Sequence, residues 1–274
     1  MDSILNQKIS TYKGSLVLSF FLTQLWRDKS KIFYFAQIQI QLRFKNTFFG
    51  FLWAAIEPLL YFIILYLVFT TIRERPEDFA IYLISGIMLF HIFTRGTSGG
   101  IGSLVNNRNI LTSLNVKKEF FPIVTTASIG LLAFVDVGIF LVLMPVFNFV
   151  PSWTIILIPV LIMMLMFLVL GLNFLLSITT VYARDVQHFW AIFTHALFFI
   201  TPIFWYLKDV DGFLLTIHSI NPLGQIIELA HEVVIGRTIP PVEDWAYAIL
   251  LISILFSVGY TVFHKLQNKI AEEL

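Results

Sequence analysis

Trp153–Val181, WTIILIPVLIMMLMFLVLGLNFLLSITTV, runs its whole length without an Asp, Glu, Lys, Arg or His. A helix needs roughly 20 apolar residues to cross the ~30 Å hydrocarbon core, so this stretch alone is long enough to span a bilayer. Backbone groups at that depth find no water and must pair within the segment, which selects helix over an open strand. Working outward, the same character recurs in Phe49–Ile72, Phe79–Leu104, Pro122–Val150, Phe189–Leu207 and Trp245–His264. The expected fold class is an all-α membrane protein with six transmembrane helices. Composition agrees: 58% hydrophobic residues, 13% charged residues and a mean hydropathy of +0.84 leave too little polar surface to coat a soluble globule of 274 residues.

The distribution of positive charge sets the expected orientation. With the N-terminus in the cytoplasm, Lys8, Lys13, Arg27, Lys29, Lys31, Arg43, Lys45, Arg108, Lys117, Lys118, Arg184, Lys265 and Lys269 fall inside, and only Arg73, Arg75, Lys208 and Arg237 fall outside. Six spans with both termini cytoplasmic, in the plasma (inner) membrane, follow from that bias. The net charge of +1 gives no reason to expect a nucleic-acid partner. No cysteine is present, so disulfides, thiolate metal sites and thiol nucleophiles are excluded together. The polar start and the lack of a cleavage site after Leu16–Trp26 leave the first span as its own insertion signal.

Three segments outside the spans carry structure of their own. Residues 1–48 read as a cytoplasmic N-terminal segment: Leu16–Trp26 is too short to cross, and the basic cluster behind it suits an amphipathic helix in the interface. Within it Ile38-Gln39-Ile40-Gln41-Leu42 alternates with period two, yet in an otherwise helical chain helix is the expectation. Val105–Phe121 places Ile110, Leu111 and Leu114 at helical spacing among asparagines, a short amphipathic helix stopped near Pro122. Residues 208–236 are too long for a tight turn and too apolar for a solvated loop. Two short apolar runs split by Asn221-Pro222 fit a re-entrant hairpin before the last span. The transmembrane domain covers 49–267, with a cytoplasmic tail over 268–274.

The chemistry-bearing residues are few. No Gly-Lys-Ser/Thr occurs, so ATP hydrolysis through a P-loop is excluded, and the six histidines show no metal-ligand spacing. Glu57-Pro58 lies in an apolar span, where an ionisable group is costly and is a functional candidate. The plainer reading, neutralisation of Glu57 near the interface by Arg43 or Lys45, is preferred. Arg95 and Asp136 are the other charges at membrane depth, and pairing or snorkelling is the expected role of each. Aromatic residues make up 16% of the chain; most are expected to face lipid or headgroups, and a minority facing a pore would stack on sugar rings.

Taken in order, Arg43-Phe44-Lys45-Asn46-Thr47-Phe48-Phe49-Gly50-Phe51-Leu52-Trp53, Glu57-Pro58, Ser85-Gly86, Phe120-Phe121-Pro122, Gly171 with Ser177, Arg184-Asp185-Val186 with His188, Thr201-Pro202 and Asn221-Pro222-Leu223 resemble the membrane subunits of ABC-2-type exporters. The closer likeness is to permeases exporting O-antigen, capsule or teichoic-acid polysaccharide. The likeness runs from about Ile32 to Gln267. Ile38-Gln39 stands where family members often carry Arg-Asp, Ile123-Val124 follows Phe-Pro where charge is common, and His231 sits near the place of an Arg after Asn-Pro.

The resemblance implies a homodimer bound to two copies of a separate cytoplasmic ATPase, which holds the ATP and Mg, with no cofactor and no catalytic or metal site on this chain. Its substrate would be a lipid-linked polysaccharide. Docking on the ATPase would fall to the interface helix and to a coupling helix over Val105–Phe121, with Arg43, Asn106, Arg108, Lys117, Lys118, Glu119, Arg184 and Asp185 as the contact residues. The first and fifth spans of two copies would form the channel, with Trp53, Glu57, Tyr61, Phe198, Phe204, Trp205 and Tyr206 as lining or gate candidates. A drug or lipid exporter of the same helix plan is the alternative. An ion-coupled carrier would need facing carboxylates and an inverted repeat, and a glycosyltransferase would need acidic metal ligands; neither pattern is visible.

Overall fold

The computed structural model describes residues 27–72, 74–113 and 117–267, and among them every regular element is helical. The expected interface run Leu16–Trp26 and the tail 268–274 lie outside these residues. Helix α1 covers 27–44 and includes Ile38–Leu42, so the period-two pattern there is a helix. A turn follows in which Asn46 and Gly50 take left-handed backbone angles (φ 62° and 53°), a conformation glycine adopts without Cβ strain. A 3-10 turn, Gly50–Leu52, then leads into α2 (Trp53–Ile72).

The remaining helices are α3 (Phe79–Ile101), α4 (Arg108–Ser113), α5 (Phe120–Val146), α6 (Ile158–Tyr182), α7 (Val186–Ile200), α8 (Phe213–Ile220), α9 (Pro222–Val234) and α10 (Val242–Leu266). Five stretches are long and apolar enough to cross a membrane: Gly50–Ile72, Phe79–Ile101, Phe120–Val146, Trp153–Tyr182 and Val242–Leu266. The expected span at Phe189–Leu207 is a shorter apolar helix, Val186–Ile200. Helix α7 has 15 residues, about 22 Å at 1.5 Å per residue, short of the hydrocarbon thickness. Pro202 is the cause: it has no N–H to continue the ladder and holds Thr201 extended at ψ 141°.

Two boundaries also move. The third span starts at Phe120, with Pro122 inside the first turn, where a missing N–H costs nothing; Pro122 therefore opens this helix and does not stop the one before. It ends at Val146, and Asn148 at φ 53° turns the chain. Among the described residues, the short helix expected across Val105–Phe121 is a 3-10 turn, Val105–Asn107, followed by the six residues of α4.

Helix α3 is the hub. Most of it is buried, and it packs against α2, α5, α6, α7 and α9. In hydrocarbon a helix gains nothing by hiding leucine from lipid, so close packing and polar contacts decide which face turns inward. On α3 those are Ser85, Gly86, Arg95, Gly96, Thr97 and Gly100. Asn173 of α6 donates to Gly96 O (3.3 Å) and to Thr126 Oγ1 of α5 (3.0 Å), tying three helices together.

Helices α6 and α10 share the broadest contact and run parallel: Phe167 meets Phe256, Phe174 meets Phe263, and the Tyr182 hydroxyl donates to Leu266 O at 3.5 Å. Gly171 and Gly259 make that crossing possible, since a Cβ on Gly259 would stand 2.0 Å from Gly171 O. Asp and Glu in the first turn of α10 and His264 and Lys265 in its last complement the helix dipole.

Helix α9 is held at the end where α3 and α6 begin. Asn221 accepts from Leu223 N (3.1 Å) as the N-cap and donates to Thr201 Oγ1 (3.1 Å), while Pro222 takes the first helical position. Thr154 donates to Val233 O at 2.6 Å.

Candidate translocation surface

Pro58 lies inside α2 and cannot donate to the carbonyl four residues back, that of Ala54. Arg95 of α3 supplies a replacement, its Nη2 donating to Ala54 O at 3.4 Å. The same guanidinium pairs with Asp136 of α5 (Nη1 to Oδ2, 3.1 Å), and both side chains are almost fully buried, 3% and 0% exposed. Arg95 Nη2 also meets His91 Nδ1 at 2.7 Å. The same Nδ1 lies 3.2 Å from Asp136 Oδ1, which can only accept, so the ring sits between a donating guanidinium and an accepting carboxylate. Its Nε2 lies 3.3 Å from Glu57 Oε2.

Four ionisable groups from three helices thus form one chain: Asp136, Arg95, His91, Glu57. The inner pair is sealed, and the outer carboxylate is 52% exposed. Glu57 has a neutralising neighbour, as the sequence suggested: His91 is in direct contact with it, and Arg43 and Arg95 act on it through charge. Arg95 and Asp136 pair with each other. His91 is the residue the sequence reading missed; its one signal is the i, i+4 spacing to Arg95 on the same face of α3.

Glu57 opens into a cleft of about 430 Å³ between α2, α3 and α7. Tyr61, His91, Thr94, His195 and Phe198 line it with Glu57, so that hydroxyls and imidazoles are set among aromatic and aliphatic side chains such as Leu65, Ile87, Phe90 and Phe199. Three channel candidates, Glu57, Tyr61 and Phe198, therefore meet here. The other four lie elsewhere. Trp53 is at the start of α2 with its ring against Phe49 (5.3 Å). Phe204 stacks on Phe69 (4.9 Å) and reaches Phe198 (5.7 Å), which places it beyond the cleft's far end. Trp205 donates to Phe199 O at 3.1 Å. Tyr206 packs on Tyr82 (4.4 Å) at the end of the bundle where α3 begins, and burial with Asp78 nearby pushes its phenol up to about 12.

The residues expected to touch an ATPase gather at the opposite end, where α3, α6 and α10 finish and α5 and α7 begin. Asn106, Arg108, Lys117, Arg184 and Asp185 are exposed there, and Arg43 is exposed farther in, near enough to Arg95 and Glu57 to act on them through charge. Helix α1 joins this end through Phe35 against Phe120 (5.4 Å) and Gln39 donating to Thr125 Oγ1 (3.4 Å). Lys118 and Glu119 are half-buried and turn inward: Lys118 donates to Gln267 O, and Glu119 lies 3.7 Å from His264. These two brace the loop against the end of α10.

A family model described as ABC-2 type transporter matches residues 30–235. The chain belongs to the ABC-2 type transporter family. Members are multi-pass membrane proteins that work with ATP-binding partner subunits. Among relatives, an O-antigen export system permease protein RfbA of Myxococcus xanthus is 22% identical over 255 residues, covering 92% of this chain and 98% of its own. A second RfbA, of Klebsiella pneumoniae, is 23% identical over 86% of this chain and 91% of its own. A polysialic acid transport protein KpsM of Escherichia coli is 25% identical over 82% and 89%. These relatives are transport permeases, not enzymes.

Proposed function

We propose that this chain is the membrane-embedded subunit of an ATP-driven exporter that carries a lipid-linked polysaccharide out of the cytoplasm. It works as a pair of copies with two ATPase subunits, which bind the ATP and Mg. The observation that carries the reading is the cleft between α2, α3 and α7. A sugar hydroxyl left unpaired in hydrocarbon costs several kcal/mol, on the order of 4–8 against an alkane, so a glycan needs a continuous polar wall. The Glu57–His91 pair and Tyr61 offer polar groups within the cleft, and Phe90, Phe198 and Phe199 supply aromatic surface on which sugar rings stack.

The cleft is half a channel. Helix α2 buries only Ala54, Pro58 and Phe62, and α7 only Thr194 and Leu197, so both helices flanking it are free to meet a second copy. The parallel run of α6 and α10 supports six crossings: the chain leaves α6 at one end and enters α10 at the other, passing through α7, 201–212, α8 and α9. On this reading the short α8 and α9 are a re-entrant hairpin at the outer exit. The positive residues at the ends of α3, α6 and α10 are cytoplasmic, as are both termini. Closure of the ATPases would move α1, α4 and the Arg184-Asp185 turn and so widen the cleft.

Deleting the gene and measuring lipid-linked polysaccharide inside the cell against glycan at its surface tests this. Accumulation inside with loss outside is expected. Unchanged glycan in both places would overturn it in favour of a drug or lipid exporter.

A further inference from the structure

A second hollow, about 320 Å³, lies between α5 and the start of α6 and shares no residue with the α2–α7 cleft. No charged or hydrogen-bonding side chain lines it: Ala133, Phe134, Val137 and Leu141 form much of one wall, Ile156 and Pro159 much of the other. The sequence opens this gap. Gly130, at its inner end, has no side chain, and the nearest neighbour a Cβ there would meet across the gap is Met166 Sδ at 3.5 Å. On the other wall the chain enters α6 through a 3-10 turn, Trp153–Leu157, with Pro159 in the first helical turn. Gly130 to Leu141 is about 16 Å of helix at 1.5 Å per residue, one leaflet's share of the ~30 Å hydrocarbon core.

Where the groove stands decides what can fill it. Both walls belong to stretches long and apolar enough to cross a membrane, and Phe134 and Ile156 on its rim are exposed. Water gains no hydrogen bond from such a lining, and an empty groove forfeits dispersion contact along both walls. The proposed function sets a second copy against α2 and α7, and neither helix lines this groove. Toward the end of the bundle that holds α9, the residues change character. Trp153 is exposed there, as suits an aromatic ring at headgroup depth. Arg237 holds its backbone at φ 55°, a strained angle for a residue with a Cβ. Its guanidinium is fixed by donating to Val150 O (3.3 Å) and by lying over the Phe149 ring (5.2 Å), and Val150 precedes the lining residue Ile155 by a short extended link. Glu232, Glu243 and Asp244 flank Arg237 in the chain, yet among the described residues no carboxylate comes within ion-pair distance of it. The exposed remainder of the guanidinium fork fits a phosphate.

We propose that this groove holds one acyl chain of a phospholipid drawn from the leaflet at the Trp153 end, with the lipid phosphate on Arg237. The groove's length of about one leaflet matches a single acyl chain. The site needs only that α5 and α6 cross a bilayer, so it stands or falls apart from the polysaccharide reading.

Photo-labelling of the complex with its ATPase in nanodiscs tests the site. The probe is phosphatidylglycerol with a diazirine in one acyl chain, and diacylglycerol with the same chain is its phosphate-free counterpart. Peptides covering 130–141 and 155–162 are expected to carry roughly tenfold more phosphatidylglycerol adduct than the exposed side of α10 at Leu250 and Ile254, which meets only bulk lipid. Val137→Trp, which fills the groove, is expected to remove most of that excess. Arg237→Gln is expected to lower the phosphatidylglycerol adduct severalfold and to leave the diacylglycerol adduct unchanged. Thermal midpoints within a few degrees of the parent show that the variants are folded. Equal labelling of the groove and α10, or an adduct that Val137→Trp leaves intact, would overturn the site. So would groove peptides that stay unlabelled, the result expected if a second copy covered them. Equal effects of Arg237→Gln on the two probes would overturn the placing of the phosphate.

Discussion

Pro58 shapes the centre of the molecule through an atom it does not have. Without its N–H the Ala54 carbonyl is left for Arg95, and Arg95 in turn needs Asp136. Removing one member of a buried ion pair strands the other, at a cost of about 3–5 kcal/mol, whereas an apolar replacement of both is often near neutral. Asp136→Leu alone is expected to lower the thermal midpoint sharply in detergent, and Arg95→Met with Asp136→Leu to recover most of the loss. Glu57→Gln is expected to act differently: its carboxylate is half exposed, so folding is spared while glycan export falls, read as surface glycan at equal protein level.

Glu232 gives a pH prediction with a definite sign. Its folded-state carboxyl is held above the ordinary value by burial and by Glu228 and Asp244, so protonation favours the folded state. The stabilisation is present at acid pH and is lost as pH rises through the shifted value. A melting series across that range is expected to show Glu232→Gln gaining stability on the parent as pH rises.

Glu57, Arg95 and Asp136 were legible in the sequence because charge in an apolar stretch stands out. Their partnership was not. It depends on how α2, α3 and α5 rotate against each other, and a lone His91 carries no pattern that fixes this.

At the scale of elements, small residues decide the packing. Gly259→Ala is expected to wedge α10 off Gly171 and cost about 1–3 kcal/mol, as overpacking does. Gly138, with nothing within 4 Å of a built Cβ, is the control: Gly138→Ala is expected to be neutral or to stabilise by up to about 1 kcal/mol. Chemical denaturation of the two purified variants checks both.

Helix α7 shows where apolarity misleads. Phe189–Leu207 has the composition of a span, but Thr201-Pro202 stops the helix, and the freed chain is fixed by Tyr82 donating to Trp205 O (2.6 Å). The long helices α2, α3, α5, α6 and α10 were readable to within a few residues, because twenty uncharged positions admit little else. Two proline-marked features read differently: Asn221-Pro222 separates α8 from α9 as its spacing suggested, while Pro122 opens a helix it was expected to stop.

The whole molecule is polarised along its axis. Arg108, Lys117 and Arg184 crowd one end, and Asp78, Glu228, Glu232, Glu243 and Asp244 outnumber Arg75, Lys208 and Arg237 at the other. On the proposed function, the passage between them runs by the Glu57–His91 pair. This arrangement was half legible: charge bias gave the two ends, but only the packed structure shows that Glu57, Tyr61 and Phe198 converge while Trp53 and Tyr206 stand apart. At the basic end, Arg184→Glu is expected to reduce glycan-dependent ATP hydrolysis by the complex severalfold without lowering its thermal midpoint, measured as phosphate release.

Because the chain has no cysteine, one introduced residue can carry a photo-reactive benzophenone to a single place. The direct test of the passage is to label Tyr61→Cys, Phe198→Cys and, on the exposed side of α10, Leu250→Cys in glycan-producing cells with a hydrolysis-deficient ATPase, illuminate, and probe the purified chain for attached glycan. Covalent glycan at positions 61 and 198 with none at 250 is the expected result. No adduct at 61 and 198, or an equal one at 250, would contradict a path along the α2–α7 cleft.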